Sequence, residues 1–514
     1  MSRVRERWGT KLGVVLAVAG SAVGLGNFLR FPVQAAQNGG GSFMIPYIVA
    51  LLLIGIPMMW VEWTAGRYGG GHGHSSAPGI LQSLWKSNPA VKYIGVLGIL
   101  GPLIIYMYYV YIESWTLAYC FYSATGALSE ASANGQLPSF LSGLQGLESN
   151  QWFSGMTAAF TFFCITFALN ISVTYFGIKG GIEKLCKIAL PALLIFGVLL
   201  TIRIITMDWG EFNGLGFLWN PDLSQLSSAR IWLAAAGQVF FTLSVGIGVI
   251  MTYSSYLRET DDVPLAGLSA ASTNEFAEVI LGGSLIVPAA FIFFGPENIV
   301  NIANSGSFNL GFITMPEIFN GIPWGAMFSF LWFLMLFLAG ITSSISLAQP
   351  LVGFFQDEFN LSREKAVMLF AAMTFILCQP AVWWLANGVM DDLDFWGGNF
   401  FIVLGATIEI IIVAWVFGID KFWAEMHVGS NMRVPIVFKY VIKYVTPVFL
   451  IGILGFWIAQ DWWDTITMKG VPAENVPYVL GTRIGIVCLF IFLCVLVKIA
   501  WSKRKHQTGK EVQS

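Results

Sequence analysis

Twelve long apolar segments constrain the fold of this chain more than any other feature of its sequence. Each holds the roughly 20 residues that a helix needs to cross a hydrocarbon core about 30 Å thick. In lipid, such a segment must pair its own backbone N–H and C=O groups, which favours the α-helix. The predicted spans, numbered 1 to 12 in chain order, are residues 10–36, 41–70, 91–124, 157–176, 182–206, 230–255, 266–296, 325–356, 366–386, 398–420, 438–462 and 478–501.

The composition excludes the other broad classes of protein. Only 11% of the 514 residues are charged, whereas soluble domains carry about 25%, so the predicted partner is the lipid bilayer. An aromatic content of 15% excludes disorder, and a net charge of −2 gives no reason to expect nucleic acid. The six cysteines show no CxxC spacing and the four histidines lie in polar connections, so no cluster of metal ligands is expected.

The basic residues predict the orientation of the spans. All but five of the 27 lysines and arginines fall at the termini or in connections on one side; the exceptions are Arg30, Arg203, Arg230, Lys469 and Arg483. Basic residues accumulate on the cytoplasmic side of membrane proteins. We therefore expect a multi-pass protein of the plasma (inner) membrane with both termini cytoplasmic, as an even number of spans also requires.

Spans 1 and 6 carry nearly the same pentapeptide, AVGLG at 22–26 and SVGIG at 244–248. The predicted orientation makes these two helices antiparallel. Paired glycines weaken a helix at mid-membrane, and interrupted helices at matching places in two halves are typical of the binding site of an inverted-repeat transporter. The freed N–H groups suit a carboxylate, and the freed carbonyls suit a cation such as Na⁺. The alternative is a pair of small-residue packing faces, which the GxG spacing disfavours.

Neutral oxygen-bearing side chains lie beside these glycines. They are Asn27, Thr242, Asn274, Thr342 and Ser343. A hard monovalent cation prefers such oxygens together with backbone carbonyls. Any single Ser or Thr in a membrane helix is more often bonded to its own i−4 carbonyl, so the prediction depends on the cluster.

Three glutamates lie within predicted spans. Glu62 and Glu113 are interpreted as structural acceptors for freed backbone N–H groups. For Glu278, three roles stay open: a structural acceptor, a proton carrier, and a fixed counter-charge beside an ion site. Tyr108 and Tyr109 in span 3 either pack or place one hydroxyl near a substrate carboxylate.

The chain resembles the neurotransmitter:sodium symporter family over nearly its whole length. The resemblance is carried by Trp8, by GSAVGLGNFLRFP at 20–32 and NGGG at 38–41, and by YYVYIESW (108–115), GQVFFTL (237–243), NEFAEVILGGS (274–284), AGITSSIS (339–346) and DDLDFW (391–396). It implies an all-α polytopic membrane protein of twelve helices, with a five-plus-five inverted repeat and broken helices 1 and 6. The implied units are 1–206 (first repeat), 207–229 (extracellular connection), 230–420 (second repeat) and 421–514 (spans 11 and 12 with a cytoplasmic C-terminus).

The resemblance also implies two Na⁺ sites and a substrate site. The first Na⁺ site resembles Ala22, Asn27, Thr242 and Asn274 with the substrate carboxylate. The second resembles Gly20, Val23, Ala339, Thr342 and Ser343. The implied substrate-binding residues are Ala22, Val23, Leu25, Gly26, Ile105, Tyr109, Phe241, Thr242, Ser244, Ile247, Ser343 and Leu347.

Two gates follow from the same resemblance. Arg30 and Asp394 correspond to an outer ion pair, above a lid of Tyr109 and Phe241. The inner gate corresponds to Arg5, Trp8, Ser255, Tyr256, Gln349 and Asp357.

The implied function is sodium-coupled import of small hydrophobic L-amino acids by alternating access. Gly24 stands where amine-selective relatives carry an aspartate, so the substrate is expected to bring its own carboxylate. Ile247 replaces an aromatic pocket residue, so methionine, phenylalanine or tryptophan competes with leucine in this interpretation. Glu278 replaces a neutral residue of chloride-dependent relatives, which predicts no chloride requirement. The sequence leaves the oligomeric state open.

Two other functions are alternatives to transport for a chain of this kind. An amino-acid-gated channel or sensor on the same fold needs a continuous polar path, and the paired gates disfavour a channel. An intramembrane enzyme needs a nucleophile with a base or a metal cluster, and no histidine lies in a span. The chain is therefore predicted not to be an enzyme.

Overall fold

Helices form every regular element among the residues that the structure, a computed structural model, describes: 6–207, 214–295, 298–304 and 306–511. Within these ranges, ten continuous helices are long and apolar enough to cross a membrane. They are Gly41–Gly71, Val91–Thr125, Thr157–Tyr175, Ile178–Ile205, Val263–Phe294, Gly325–Phe359, Arg363–Trp383, Val389–Met426, Val437–Gln460 and Val476–Lys503.

Spans 1 and 6 are each divided into two helices. Span 1 consists of Lys11–Ala22 and Leu25–Gln37, which meet at a bend of 48°. Span 6 consists of Ala229–Leu243 and Val249–Ser254. Together with the ten continuous helices they account for the twelve predicted spans, and the two breaks lie five spans apart, as a repeat of five requires.

The backbone at the breaks explains why neither helix continues. Val23 ends the first half of span 1, and Gly24 is extended, with φ −116° and ψ −167°. In span 6, Ser244, Gly246 and Gly248 have φ of 54°, 83° and 77°. These are left-handed values that glycine adopts without a Cβ clash, and they cannot propagate a right-handed helix.

Two π-helical turns place acidic side chains near the breaks. They span Phe276–Gly283 in span 7 and Asp394–Phe400 in span 10, and they contain Glu278 and Asp394. A π-turn widens a helix and often lies at a functional site. Span 10 begins at Val389, earlier than predicted from 398–420, because its helix continues through the acidic residues that the hydropathy pattern treats as a connection.

A buried polar network joins spans 3, 4 and 8. The amide of Asn170 donates to Glu113 Oε1 at 3.0 Å, and the hydroxyl of Ser344 donates to Asn170 Oδ1 at 2.5 Å. Glu113 therefore accepts from a side-chain amide rather than from the freed backbone N–H that the sequence interpretation assigned to it. The freed N–H groups lie at the breaks of spans 1 and 6, whereas Glu113 faces Asn170 of span 4.

Span 12 is attached to the start of span 10 by a partly buried ion pair. Arg483 Nη2 lies 2.8 Å and Nε 3.0 Å from Asp392 Oδ1, and Nη1 donates to the carbonyl of Thr465 at 2.6 Å. An arginine held in this fork geometry orients its partner as well as attracting it. Span 12, outside the predicted repeats, thus helps to hold the outer end of span 10.

Short helices cover the outer ends of the spans. They include Ala127–Ala133, Leu137–Leu144, Ile299–Asn304 and Met315–Asn320. By hydropathy, residues 128–152 form only a polar connection between spans 3 and 4. In the structure, Phe140 of this segment packs edge-on against Tyr119, with ring centroids 5.5 Å apart. These helices are too short to give a membrane signal, so hydropathy could not reveal them.

Candidate functional site

The two helix breaks meet near the middle of the spans. The freed carbonyl of Ser21 accepts hydrogen bonds from Ser343 Oγ at 3.1 Å and from Ser244 Oγ at 3.4 Å. On the other side of the break, the N–H of Leu25 donates to the hydroxyl of Tyr109 at 3.1 Å. Spans 1, 3, 6 and 8 therefore converge on the two interrupted segments.

A cavity of ≈ 50 Å³ lies between the breaks. Its walls contain all of the predicted substrate-site residues except Val23 and Leu25. The side chain of Val23 is fully buried, and Leu25 lines a second cavity nearer the outside. The structure adds Ser21, Gly24, Asn27 and Ile402 to the walls.

The cavity has one polar and one apolar side. Ile105, Ile247, Leu347 and Ile402 form the apolar side. The polar side contains the interrupted backbone of span 1 with Thr242 and Ser244. An amphiphilic molecule with a polar head and an apolar tail matches this division.

Glycine is required at two positions in the wall. A Cβ atom at Gly26 would lie 2.5 Å from Cε1 of Phe241, and one at Gly24 would lie 2.9 Å from Ser343 Oγ and 3.0 Å from the hydroxyl of Tyr109. At these three distances, a Cβ atom would force the side chains of Phe241, Ser343 and Tyr109 to move. The ring of Phe241 therefore lies directly on the backbone of span 1, and the space beside Gly24 is filled by hydroxyl groups.

Three of the four residues predicted for the first Na⁺ site, Asn27, Thr242 and Asn274, form one hydrogen-bonded cluster. Asn27 Nδ2 lies 2.9 Å from Asn274 Oδ1 and 3.3 Å from Thr242 Oγ1, and Asn274 Nδ2 donates to Thr242 Oγ1 at 2.9 Å. Asn27 Oδ1 accepts from the N–H of Gly24 at 2.8 Å. The cluster offers neutral oxygens beside freed carbonyls, which is the chemistry that Na⁺ requires.

Glu278 borders this cluster and is fully buried. It accepts from Gln238 Nε2 at 2.7 Å, from Asn27 Nδ2 at 3.2 Å and from the hydroxyl of Thr242. Three donors thus converge on one carboxylate. Gln238 lies in the GQVFFTL motif, but its role as a donor to Glu278 could not be recognised from the sequence.

The residues predicted for the second Na⁺ site lie where span 8 approaches the break of span 1. A Cβ atom at Gly20 would lie 3.4 Å from Cβ of Thr342, so the two helices are in contact there. The hydroxyl of Thr342 lies 3.2 Å from the carbonyl of Ala339. Val23 ends its helix, which leaves its carbonyl without the next helical turn as a partner. This set also consists of neutral oxygens, and the described residues contain no group of three or more His, Cys, Asp or Glu that would favour another metal.

The predicted outer gate is arranged as a bridge through Asn399. Arg30 Nη2 donates to Asn399 Oδ1 at 3.0 Å, and Asn399 Nδ2 donates to the carbonyl of Asp394 at 3.2 Å. The carboxylate of Asp394 accepts from the hydroxyl of Tyr108 at 2.6 Å. Within the described ranges, no direct ion pair joins Arg30 to Asp394, and the guanidinium lies over the ring of Phe241 at 4.1 Å instead.

A larger cavity of ≈ 260 Å³ contains both gate residues. Gly26, Tyr109 and Phe241 line this cavity and the inner one. They therefore form the wall between the two spaces, which is the position predicted for a lid.

Several residues predicted for the inner gate lie against the second half of span 6. Trp8 Nε1 donates to the carbonyl of Tyr253 at 2.9 Å, and the two rings meet edge-on at 5.3 Å. Gln349 Nε2 donates to the hydroxyl of Tyr256 at 2.9 Å, and Ser255 Oγ donates to the carbonyl of Thr252. Asp357 interacts electrostatically with Tyr256, whereas Arg5 lies outside the described residues.

Two glutamates that the sequence did not single out hold the N-terminal end of span 1. Glu183 accepts from the N–H of Gly9 at 2.7 Å and from the hydroxyl of Thr10 at 2.9 Å. Glu6 accepts from the N–H of Ile178 at 3.0 Å and lies 3.5 Å from Arg363 Nη1. Each contact joins residues more than 150 positions apart, so no local pattern signals it.

Comparisons with known proteins agree with this architecture. The family model for the sodium:neurotransmitter symporter family matches residues 5–139 and 140–504. An uncharacterised sodium-dependent transporter of Methanocaldococcus jannaschii is 31% identical, over 96% of this chain and 98% of its own length. The sodium-dependent dopamine transporter of Bos taurus is 27% identical, over 88% of this chain and 69% of its own length.

A solved structure, that of MhsT in complex with L-phenylalanine, superposes with a TM-score of 0.76 at 30% identity, and the match covers 88% of this chain and 99% of MhsT. These matches confirm the predicted family and helical membrane fold, and the prediction that the chain is not an enzyme. This chain is a multi-pass membrane protein of the sodium:neurotransmitter symporter family and carries out sodium-coupled transport.

Proposed function

We propose that this transporter imports small hydrophobic L-amino acids with two Na⁺ ions and without chloride, across the plasma membrane, with both termini in the cytoplasm. The observation that carries the proposal is the cavity between the two helix breaks, which is polar at the interrupted backbone and apolar opposite it. The same division exists in a hydrophobic amino acid. MhsT, solved in complex with L-phenylalanine, supports an amino acid as the ligand class.

The polar end of the cavity suits both groups of an amino acid. The N–H of Gly26 lies in the first turn of the second half of span 1, and the positive end of that helix favours a carboxylate. The hydroxyl of Tyr109 is the second donor proposed for the carboxylate. The carbonyls of Ala22, Phe241 and Thr242 are the proposed acceptors for the amino group.

Gly24 supports a substrate that keeps its own carboxylate. An aspartate here would hold a bare amine, but Ser343 and Tyr109 fill the space that its Cβ would need. A positively charged amino group then has no fixed carboxylate beside it in the wall of the cavity. In the proposed arrangement, the substrate carboxylate completes the first Na⁺ site with Ala22, Asn27, Thr242 and Asn274, which links substrate binding to Na⁺ binding.

The two gates support alternating access rather than a channel. Phe241 and Tyr109 separate the substrate cavity from the outer one, and Trp8 packs against Tyr253 on the cytoplasmic side. In the proposed cycle, Na⁺ and substrate stabilise an outward-facing state, the lid closes, and loss of Na⁺ from the second site releases the inner gate. Each ligand shifts the equilibrium only by its difference in affinity between states.

The ligand class is tested by competition in vesicles. Each of the twenty amino acids, and in separate samples amines that lack a carboxylate, is added in excess during Na⁺-driven uptake of labelled leucine by the reconstituted protein. Leucine, methionine and the aromatic amino acids are expected to compete, and charged amino acids are not. Competition by amines that lack a carboxylate would contradict the proposed role of the substrate carboxylate.

Replacing Ile247 with phenylalanine should narrow the apolar side of the cavity. Ile247 is only 4% exposed and shares that side with Ile105, Leu347 and Ile402. A ring larger than the isoleucine side chain competes for the space of a bulky substrate, so we expect tryptophan to lose about tenfold or more in competing strength, with leucine less affected. The measurement is the inhibition constant of each amino acid.

Ile451→Phe is the matched control, because Ile451 lies on the exposed surface of span 11, at 44% exposure. This variant should compete like the unmodified protein. Equal competition by tryptophan before and after Ile247→Phe would show that Ile247 does not limit the size of the substrate.

A further inference from the structure

Glu62 of span 2 caps the break in span 6. Its Oε1 accepts a hydrogen bond from the N–H of Gly246 at 2.5 Å, and its side chain is fully buried. Its second oxygen, Oε2, is buried without a hydrogen-bond partner. A buried carboxylate oxygen without a donor is rare, because burial removes its hydrogen bonds to water and nothing replaces them.

Glu409 of span 10 approaches the same break from the other side. Ile402, Gly405, Ala406 and Glu409 follow the i, i+3, i+4, i+7 spacing of one helix face. The first three of these residues contact Gly246. A Cβ atom added at Gly246 would lie 2.9 Å from Cβ of Ala406 and would collide with the carbonyl oxygen of Ile402. A Cβ atom added at Gly405 would collide with the carbonyl oxygen of Gly246. Glu409 continues that face by one turn.

The two glutamates lie on spans that meet at Gly246, which Glu62 bonds and the helix face ending in Glu409 contacts. Glu409 is 3% exposed, and its Oε2 is also buried without a hydrogen-bond partner. Like charges on Glu62 and Glu409 repel each other. Within the described ranges, no lysine, arginine or histidine forms an ion pair with either glutamate.

Two buried carboxylates without a cation cannot both be ionised at low cost. A single proton removes the repulsion and converts one orphaned oxygen into a donor for the other. We propose that Glu62 and Glu409 bind one proton between them, which forms a carboxyl–carboxylate hydrogen bond between spans 2 and 10 across the break of span 6. The pair then carries one negative charge and holds Gly246 from both sides.

This proton site is separate from the sodium and substrate residues. The Glu62 carboxylate accepts its hydrogen bond from the N–H of Gly246 in span 6, which is not a proposed Na⁺ ligand. The inference depends on the membrane fold and not on which amino acid is transported, so it can fail independently of the proposed function.

Infrared difference spectroscopy of the full-length protein in lipid tests the proposal, with H₂O and D₂O used to identify protonated carboxyl groups. The substitution Glu409→Gln should remove one protonated carboxyl band and leave the carboxylate band unchanged, whichever residue carried the proton. Glu62→Gln should give the same difference spectrum. The double variant should lose one protonated carboxyl and one carboxylate.

Three results would overturn the shared proton. Loss of two carboxylate bands in the double variant, with no protonated carboxyl band lost, means that both groups are ionised. Loss of two protonated carboxyl bands in the double variant means that both are neutral. Different spectra for the two single variants mean that the groups titrate independently. Glu474→Gln, at an exposed outer position, is the control and should remove one carboxylate band.

A functional measurement separates the shared proton from a purely steric role. Glu409→Gln keeps a donor for Glu62, so Na⁺-dependent substrate affinity should stay within about twofold of the unmodified protein. Glu409→Ala leaves Glu62 without that donor and should lower the affinity about tenfold. Equal affinities in the two variants, both folded, would contradict a hydrogen bond between the two groups.

Discussion

Replacing Asn27 with alanine should raise the Na⁺ concentration for half-maximal uptake about tenfold or more. Asn27 Oδ1 accepts from the N–H of Gly24 at 2.8 Å, and a carbonyl oxygen has a second lone pair for an ion. Its amide nitrogen lies 2.9 Å from Asn274 Oδ1. Alanine removes the proposed ligand and leaves buried partners unsatisfied, each at a cost of about 1–3 kcal/mol.

The measurement is the dependence of leucine uptake on Na⁺ concentration in proteoliposomes. Asn134→Ala, at an exposed position near the outer surface, is the matched control and should leave the curve unchanged. A folded Asn27→Ala variant with an unaltered Na⁺ curve would refute the assignment of Asn27 to the first Na⁺ site.

Replacing Glu278 with serine should create a chloride requirement. In the unmodified protein, Gln238, Asn27 and Thr242 all donate to the Glu278 carboxylate. Serine removes the negative charge and leaves these donors facing an empty volume, which suits a small anion. We expect uptake by Glu278→Ser to fall about tenfold or more without chloride and to recover when chloride is added.

Uptake by the unmodified protein should be the same when gluconate replaces chloride. Glu317→Ser, on the exposed outer surface, should behave in the same way. If Glu278 is only a structural acceptor, the serine variant will be inactive with and without chloride. That result would contradict its role as a fixed counter-charge.

The broad architecture was predictable because its signals are local. Each span has its own apolar run, and the glycines of 22–26 and 244–248 interrupt the helices at the residues where the sequence places them. The predicted ligand residues also meet, since breaks at matching depths bring Asn27 and Thr242 together. The Na⁺ and counter-charge sites assigned to these residues stay predictions, which the Asn27→Ala and Glu278→Ser variants test.

Contacts between distant segments could not be read from the sequence. Asn399 bridges Arg30 to the backbone of Asp394, although a direct ion pair was expected there. The facing positions of Glu62 and Glu409 follow from how spans 2, 6 and 10 pack, and no motif contains both residues. The outer helices are missed for another reason: Leu137–Leu144 is too short for hydropathy to separate from a loop.

The most direct test of sodium-coupled amino-acid import is accumulation of labelled leucine in proteoliposomes under an imposed gradient. An inward Na⁺ gradient should raise the leucine concentration inside the vesicles above the external concentration. An inside-negative potential aids this uptake, because each 100 mV contributes about 2.3 kcal/mol per charge moved. K⁺ outside in place of Na⁺, or a sodium ionophore, should abolish accumulation. A channel would only equilibrate leucine, so equal uptake with Na⁺ and K⁺, without accumulation in either, would contradict the account.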